Sequence, residues 1–156
     1  MIKLTRIDDR LVHGQVAFTW TPALGVDCLV VANDKVAKDE FQKMALGLAK
    51  PSGLKLLIKS VPDTIAWLND PKSQPHKVLI IINSVKDALA LSSGVAEIQS
   101  INFGGIRGRE GAVPISKAVS VTAEDRTIIK ELLKKGIELE VRQVPTDNKQ
   151  MIENLL

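Results

Sequence analysis

The chain of 156 residues is short of several residue types, and each shortage excludes a class of protein. Its only cysteine, Cys28, can form no internal disulfide, so we expect the protein to work in a reducing compartment. The chain has no tyrosine and its basic residues are scattered, which argues against a nucleic-acid partner. Because it has only two histidines and one cysteine, a zinc-type metal site is not expected either.

Long hydrophobic runs are also missing. The longest apolar run, 78–82, falls far below the ~18 residues of a membrane helix, and no N-terminal segment has the apolar core of a signal peptide. The composition is otherwise ordinary for a globular protein, with 45% hydrophobic residues, 25% charged residues and a net charge of +3. We therefore predict one cytoplasmic domain over residues 1–156, which reaches a membrane only through partners.

Short β-branched segments alternate with helical patterns along the chain. The predicted strands are 2–7, 28–32, 54–59, 78–82, 98–103, 116–121 and 137–144. The predicted helices are 14–20, 34–50, 60–69, 85–91, 123–135 and 146–156. This alternation predicts an α/β fold with a parallel sheet covered by helices on both faces, and strands that are apolar throughout suit such two-sided burial.

Local signals define several of the predicted helices. Pro22 and Gly25 are expected to close the first helix, and Thr122 and Asp125 have the spacing of a capping box. In the helix 34–50, four apolar residues recur with helical spacing: Phe41, Met44, Ala45 and Leu48. This spacing predicts that one face of the helix packs against the core.

The most distinctive segment is RIDDRLVHGQV, residues 6–16, which follows the first predicted strand. It places His13 among four charged residues: Arg6, Asp8, Asp9 and Arg10. In open α/β sheets, ligands bind beyond the carboxyl ends of the strands, so the histidine is expected at the binding edge. Three other loops begin at that edge: 33–34, 83–84 and 104–107. We predict that these three loops and the histidine loop form one site.

These residue types suit phosphoryl chemistry. A neutral imidazole nitrogen of His13 can attack phosphorus and hold the group covalently. Arg10 and Arg6 offer N–H donors that match phosphate geometry, and Asp8 or Asp9 can either fix the imidazole tautomer or aim an arginine. If a helix starts at about Gly14, its free N–H groups face the phosphoryl group, and Gly14 lets the backbone come close.

The residues also allow other interpretations. A phosphatase with a histidine nucleophile is one alternative, although Val12 stands where such sites place an arginine. A regulatory domain that binds a small molecule through His13 is another. The glycine-rich run 104–111 lacks the spacing of a dinucleotide loop, and we interpret it as a wall of the site. Its Arg107 and Arg109 either contact phosphate or lie solvated on a surface turn.

RIDDRLVHGQV resembles the active-site segment of the enzyme IIB components of the bacterial phosphoenolpyruvate-dependent sugar phosphotransferase system. The resemblance is to the mannose/fructose/sorbose family, which includes N-acetylgalactosamine members. It extends to AFTW at 17–20, LVVAND at 29–34 and INFGG at 101–105. It implies a sheet of about seven mostly parallel strands in three layers, with helices on both faces.

The resemblance also implies a phosphoryl carrier. His13 would be phosphorylated at Nδ1 by a histidine of the IIA partner and would pass the group to a sugar, a hexose or N-acetylhexosamine, as the membrane IIC–IID complex translocates it. Arg10 would steady the phosphoryl group. The supporting residues would be Arg6, Asp8, Asp9, Gly14, Gln15, Gly104, Gly105 and Arg107. No metal or nucleotide cofactor is needed because the donor is already a phosphohistidine, and the sequence leaves a homo-oligomer open.

Overall fold

The computed structural model describes residues 1–14 and 16–156. The strands in this part of the chain are β1 (Ile2–Asp8), β2 (Cys28–Ala32), β3 (Lys55–Lys59), β4 (Val78–Ile82), β5 (Ser100–Gly105), β6 (Val113–Pro114), β7 (Ser120–Val121), β8 (Glu138–Val141) and β9 (Gln150–Met151). The α-helices are α1 (Thr21–Leu24), α2 (Glu40–Ala49), α3 (Val61–Leu68), α4 (Val85–Gly94) and α5 (Ala123–Lys134). Shorter helices comprise a π-helix, Val16–Trp20, and the 3-10 helices Val36–Lys38, Pro71–Ser73 and Ile152–Asn154.

Seven of the strands form one sheet in the order β3-β2-β4-β1-β5-β8-β9. All neighbours in this sheet pair in parallel except β9, which runs antiparallel to β8. Strands β6 and β7 form a separate antiparallel pair. The mostly parallel seven-stranded α/β sheet confirms the predicted fold class, and it places the loops after β1 and β5 side by side.

The strands bury their side chains on both faces of the sheet. In β2, Cys28 and Val30 point into a core formed with α3, α4 and α5. Leu29 and Val31, the alternate residues of the same strand, point into a second core that contains Trp20. Burial of each large aliphatic side chain contributes about 1.5–3 kcal/mol, so these continuous apolar strands hold helices on both faces.

The segment 34–50 lies on the side of the second core, and the prediction of one helix over this segment was partly wrong. It is divided at Asp39, whose extended backbone ends the 3-10 helix and whose side chain caps α2 by accepting from the Gln42 N–H. The predicted apolar face points away from the core: Phe41 is 80% exposed, Met44 67% and Leu48 85%. Periodicity detects an apolar stripe but not the side on which the stripe lies, because Leu46 and Ala49 take the core side instead.

The last predicted helix, 146–156, is also wrong. This segment contributes β9 to the edge of the sheet and then a 3-10 helix, in which Ile152 is buried. The helical pattern predicted that the backbone groups of this segment bond within a helix. Those of β9 bond to β8 instead. Near the other end of the chain, Gly25 caps α1 with a φ of 65°, as expected, but Pro22 lies inside the first turn of that helix rather than closing it.

The segment between β5 and α5 is held against the first turn of α5. Thr122 and Asp125 form the predicted capping box. The guanidinium of Arg109 donates to the Asp125 carboxylate and to the Ser120 carbonyl oxygen. Arg109 was expected either to contact phosphate or to lie solvated on a surface turn. In the structure it instead fixes the loop after β5 to the start of α5.

Candidate functional site

The predicted active loop turns sharply after β1. The Leu11 N–H donates to the Asp8 carbonyl oxygen at 2.9 Å, and Leu11 has a φ of 57°, which is unusual for a residue with a branched side chain. Leu11 and Val12 are buried in the second core and hold the turn in place. The Ala17 N–H then donates to the His13 carbonyl oxygen at 2.9 Å, so a helical turn begins directly after the histidine, as predicted.

Asp8 fixes the imidazole of His13. The Nε2 atom lies 2.9 Å from Asp8 Oδ2, and the side chain of Asp8 is 1% exposed whereas that of His13 is 16% exposed. An ionised carboxylate only accepts hydrogen bonds, so Asp8 favours the neutral tautomer with the proton on Nε2 and the lone pair on Nδ1. Within residues 1–14 and 16–156, Nδ1 makes no hydrogen bond, which leaves this nitrogen free to react.

The surroundings keep Asp8 ionised. Burial by itself raises the pKa of Asp8, but the hydrogen bond from His13 and the positive charge of Arg6 outweigh it, so the pKa lies below its ordinary value. The backbone N–H of Arg10 also donates to Asp8 Oδ1, at 3.1 Å. The sequence left open whether Asp8 or Asp9 orients the histidine, and the geometry favours Asp8.

Arg6 lies buried behind Asp8. Its guanidinium donates to Asp8 Oδ2 at 3.1 Å and to Asn102 Oδ1 at 2.8 Å. It also donates to the carbonyl oxygens of Arg142 and Gln143, and it stacks 5.1 Å from the ring centre of Trp20. Burial lowers its pKa, and Asp8 opposes that shift. Because Arg6 is 0% exposed, it is placed to organise Asp8 rather than to contact a phosphoryl group.

Gly104 makes room for this buried arginine. A Cβ atom at position 104 would lie 2.0 Å from Arg6 Cζ, whereas one at Gly105 would meet Asp8 Oδ1 at an ordinary 3.7 Å. The pairing of β1 with β5 also shifts here, from Ile7 opposite Phe103 to Asp8 opposite Gly105. Gly104 is therefore the extra residue of a bulge, a feature common beside active sites.

Arg10 presents its guanidinium to solvent beside the histidine loop. Its side chain is 52% exposed, and its Nε lies 3.9 Å from Asp8 Oδ1, at the outer limit of an ion pair. Among the described residues, none accepts a hydrogen bond from its terminal nitrogens. The half-exposed Arg10 can thus bind an incoming anion more readily than the buried Arg6.

Asp9 ties the histidine loop to the loop after β5. Its Oδ2 accepts from the backbone N–H of Arg107 at 2.8 Å and from Arg107 Nε at 3.0 Å. The Asp9 N–H donates to the Gly105 carbonyl oxygen at 2.9 Å. The side chain of Arg107 is 75% exposed, so its remaining nitrogens face solvent at the rim of the site.

Two separate cavities lie at this edge of the sheet. Beside Arg10 lies an open cavity of about 500 Å³, whose lining includes Asp9, Gly104, Gly105, Arg107, Lys117 and Gln143. The loops 33–34 and 83–84 line a second cavity of about 340 Å³, which shares no lining residue with the first. Because β4 is the neighbour of β1 in the sheet, the loop 83–84 still begins beside the histidine loop, and one site formed by all four loops stays a prediction. Gly14 lies in the helical turn after His13, and Gln15 lies outside the described residues.

Sequence reasoning missed several residues that hold Arg6 and Asp8. Trp20, Asn102, Arg142 and Gln143 come from three separate parts of the chain and meet only in the fold. Arg142 also stacks on Trp20, on which Arg6 stacks as well. One signal was available: Asn102 stands between the apolar residues Ile101 and Phe103 of a strand, and buried polar side chains require partners.

Neither a membrane span nor a metal cluster is present in residues 1–14 and 16–156. No helix among them is long and apolar enough to cross a membrane. No group of three or more histidine, cysteine or acidic side chains in residues 1–14 and 16–156 is arranged to hold a metal ion.

Comparisons with known proteins agree with this geometry. The family model described as the sorbose subfamily IIB component of the phosphotransferase system matches residues 2–156. A probable phosphotransferase enzyme IIB component of Streptococcus pyogenes is 42% identical over 85% of this chain and 85% of its own length. The mannose-specific EIIAB component of Escherichia coli is 38% identical over all of this chain, which spans 48% of that relative.

A solved structure has the same fold. The IIBSor domain of the sorbose permease from Klebsiella pneumoniae superposes with a TM-score of 0.94 and 32% identity, covering 99% of this chain and 95% of that domain. The match of a family model over nearly the whole chain and the high similarity of this structure point to one family. The chain belongs to the sorbose subfamily of IIB components of the phosphotransferase system, the phosphotransferase components that carry phosphoryl groups in sugar uptake.

Proposed function

We propose that His13 accepts the phosphoryl group through Nδ1 and passes it on to a sugar. One observation carries this proposal: Asp8 holds Nε2 at 2.9 Å, so Nδ1 is the ring nitrogen that Asp8 leaves available. This is the nitrogen that the resemblance of RIDDRLVHGQV also implied. His13 stands at the carboxyl edge of the sheet, where ligands of such folds bind.

The transfer consists of two displacements on phosphorus. First, the lone pair of His13 Nδ1 attacks, and the phosphorus–nitrogen bond to the donor histidine breaks. Nε2 keeps its proton, so the phosphorylated ring is positively charged, and the Asp8 carboxylate stabilises that charge. In the second step a sugar hydroxyl attacks phosphorus, its proton passes to solvent, and the bond to Nδ1 breaks. The imidazole then returns to its neutral form, with Nε2 still held by Asp8.

Arg10 is the phosphate ligand in this proposal. Phosphoryl transfer leaves a protein mainly positioning and charge stabilisation to provide. The Arg10 guanidinium is half exposed and weakly paired, so it can turn its donors towards the equatorial oxygens. Arg107 adds positive charge at the rim, while Asp9 holds its loop beside the histidine. Gly14 keeps the first helical turn open to the group.

The donor is a IIA component, and the acceptor is a sugar held by the membrane IIC and IID components. The mannose-specific relative is an EIIAB component, which supports a IIA partner for this chain. The protein would work in the cytoplasm and meet its sugar at the inner face of the membrane. The family resemblance supports a hexose or N-acetylhexosamine as that sugar, which this chain need only reach through the phosphoryl group.

A labelled transfer assay tests the proposal. The protein is incubated with labelled phosphoenolpyruvate, the general phosphotransferase proteins and a IIA component that loads its own IIB partner. We expect acid-labile, base-stable label on wild type and none on His13→Ala. Absence of label on wild type would overturn the proposal, and rapid release of free phosphate would favour the phosphatase alternative.

A further inference from the structure

The outer face of α2 carries an apolar stripe that the fold leaves uncovered. Phe41, Met44 and Leu48 are 80%, 67% and 85% exposed, and Ala45 between them is exposed as well. No residue of α2 is buried, although helices of globular proteins normally turn their apolar side to the core. A continuous exposed apolar surface of this kind marks an interaction site.

Gly47 gives a second, independent sign of a contact at α2. A glycine inside a helix costs about 1 kcal/mol relative to alanine. Gly47 has no positive φ, and a Cβ atom placed on it would meet nothing within 4 Å in this chain. The isolated chain therefore gains nothing from this glycine. A small residue beside an apolar stripe does serve the close approach of a second backbone.

The stripe is complementary to itself. If two α2 helices pack antiparallel about a two-fold axis, Phe41 of each lies opposite Leu48 of the other, and Met44 lies opposite Ala45. Large side chains then meet smaller ones across the whole stripe. The ends also match in charge: Glu40, which pairs with Lys43 of its own helix but is 87% exposed, lies at one end of the helix, and Lys50 follows the other end. The antiparallel arrangement sets opposite ends of the helix dipoles side by side.

We propose that α2 pairs with α2 of a second copy of this chain. The symmetry of the stripe favours a second copy over an unrelated partner, because an isologous contact requires a self-complementary surface. The neighbouring edge strand β3 is less suited to the contact, because it begins and ends with Lys55 and Lys59, charges that disfavour edge pairing. A single short helix face is smaller than the about 800 Å² per partner of a standard interface, so we expect a dissociation constant in the micromolar range or weaker.

Sedimentation velocity over a dilution series tests the proposal. We expect wild type to change from monomer to dimer with rising concentration, and Leu48→Lys to weaken dimerisation at least about tenfold, because the lost contact occurs twice. The matched control is Phe18→Ser, which removes a phenylalanine that is 72% exposed but lies outside α2. A wild type that stays monomeric, or a Leu48→Lys variant that dimerises like wild type, would overturn the proposal.

Gly47→Ala separates this contact from the stability of the fold. Because alanine is the better helix former and the site is open, the substitution should raise the melting temperature of the monomer. The same methyl group should weaken dimerisation, and the two changes of opposite sign are the expected signature. Dimerisation that is unchanged or strengthened in Gly47→Ala would contradict a close approach at this glycine.

Cysteine crosslinking locates the axis. Ala45→Cys places a thiol beside the expected two-fold axis, whereas Lys38→Cys places one on the exposed surface before α2. The native Cys28 does not interfere, because it is buried and burial raises the pKa of its thiol to about 11. Mild oxidation should yield a covalent dimer of Ala45→Cys and little of Lys38→Cys. Equal yields from the two variants would contradict the arrangement.

Discussion

At the scale of single residues, one carboxylate organises the candidate site. Asp8 accepts from Arg6, from the backbone of Arg10 and from His13, and each contact has a different consequence. The hydrogen bond from His13 and the charge of Arg6 keep the carboxylate ionised, the Arg10 backbone helps to fix its orientation, and His13 receives its tautomer from it. The two arginines of RIDDRLVHGQV therefore have different roles, although the sequence offered both as phosphate ligands.

We predict that Arg6 is needed mainly for stability and Arg10 mainly for transfer. Arg6→Met leaves Asp8 as a buried charge without its main partner, so the free energy of unfolding should fall by about 3–5 kcal/mol. Arg10→Ala removes a half-exposed side chain and should change stability by no more than about 0.5 kcal/mol. It should slow phosphoryl transfer by about a hundredfold or more. Denaturant unfolding and single-turnover transfer measure the two effects, and unchanged transfer in Arg10→Ala would remove this residue from the site.

The sequence contained a signal that distinguishes Asp8 from Asp9, although the two residues carry the same charge. Successive side chains of a strand alternate between faces, so Arg6 and Asp8 share one face of β1 while Asp9 lies beyond the end of the strand. This alternation selects Asp8 as the partner of the buried arginine. Trp20 and Gln143 could not be selected in this way, because only the packed fold brings them to Arg6.

At the scale of elements, the predicted bounds were most accurate for strands that are buried on both faces. Strands β2 and β4 begin and end where predicted, because strands buried on both faces are apolar throughout. Elements that lie at an edge or on a thin layer were less predictable. The segment 146–156 pairs with β8, a contact that no local pattern shows. In α2, Leu46 and Ala49 take the core side, so the apolar stripe is turned outwards.

The bulge in β5 gives the prediction at this scale. Gly104→Ala would place a methyl group within the volume of the Arg6 guanidinium, and the arginine is enclosed by contacts that prevent it from moving away. We expect a loss of about 1–3 kcal/mol in the free energy of unfolding and a marked loss of transfer. Gly105→Ala is the matched control, since its methyl group makes only ordinary contact. Equal effects of the two substitutions would argue against the steric role of Gly104.

At the scale of the whole molecule, the two cores differ in how completely they are closed. The core that includes α3, α4 and α5 extends over β2, β4, β1, β5 and β8, and Cys28 lies within it at 0% exposure. The opposite core is closed by the histidine loop, the π-helix and α2, so the candidate site is part of the thinner layer. This arrangement leaves one side of the molecule available for contacts, including the proposed contact between two copies.

Burial of Cys28 predicts how stability changes in alkali. The thiol has a pKa of about 11 in the folded protein, above the about 8.5 of a free cysteine, because burial disfavours the thiolate. The unfolded chain therefore loses the proton first, so the stabilisation is complete below about pH 8.5 and is lost as pH rises towards 11. We expect Cys28→Ala to lack this loss, which amounts to about 3 kcal/mol. Denaturant unfolding of both proteins from neutral to alkaline pH measures the difference, and parallel curves would contradict it.

The position of the phosphoryl group on the imidazole is the most direct measurement of all. The protein is labelled with nitrogen-15 in its histidines, phosphorylated by a loaded IIA component, and observed by nuclear magnetic resonance for coupling between phosphorus and each ring nitrogen. Because Asp8 holds Nε2, we expect phosphorus on Nδ1 of His13 and a proton retained on Nε2. A phosphoryl group on Nε2, or on any residue other than His13, would contradict the role assigned to the Asp8–His13 pair.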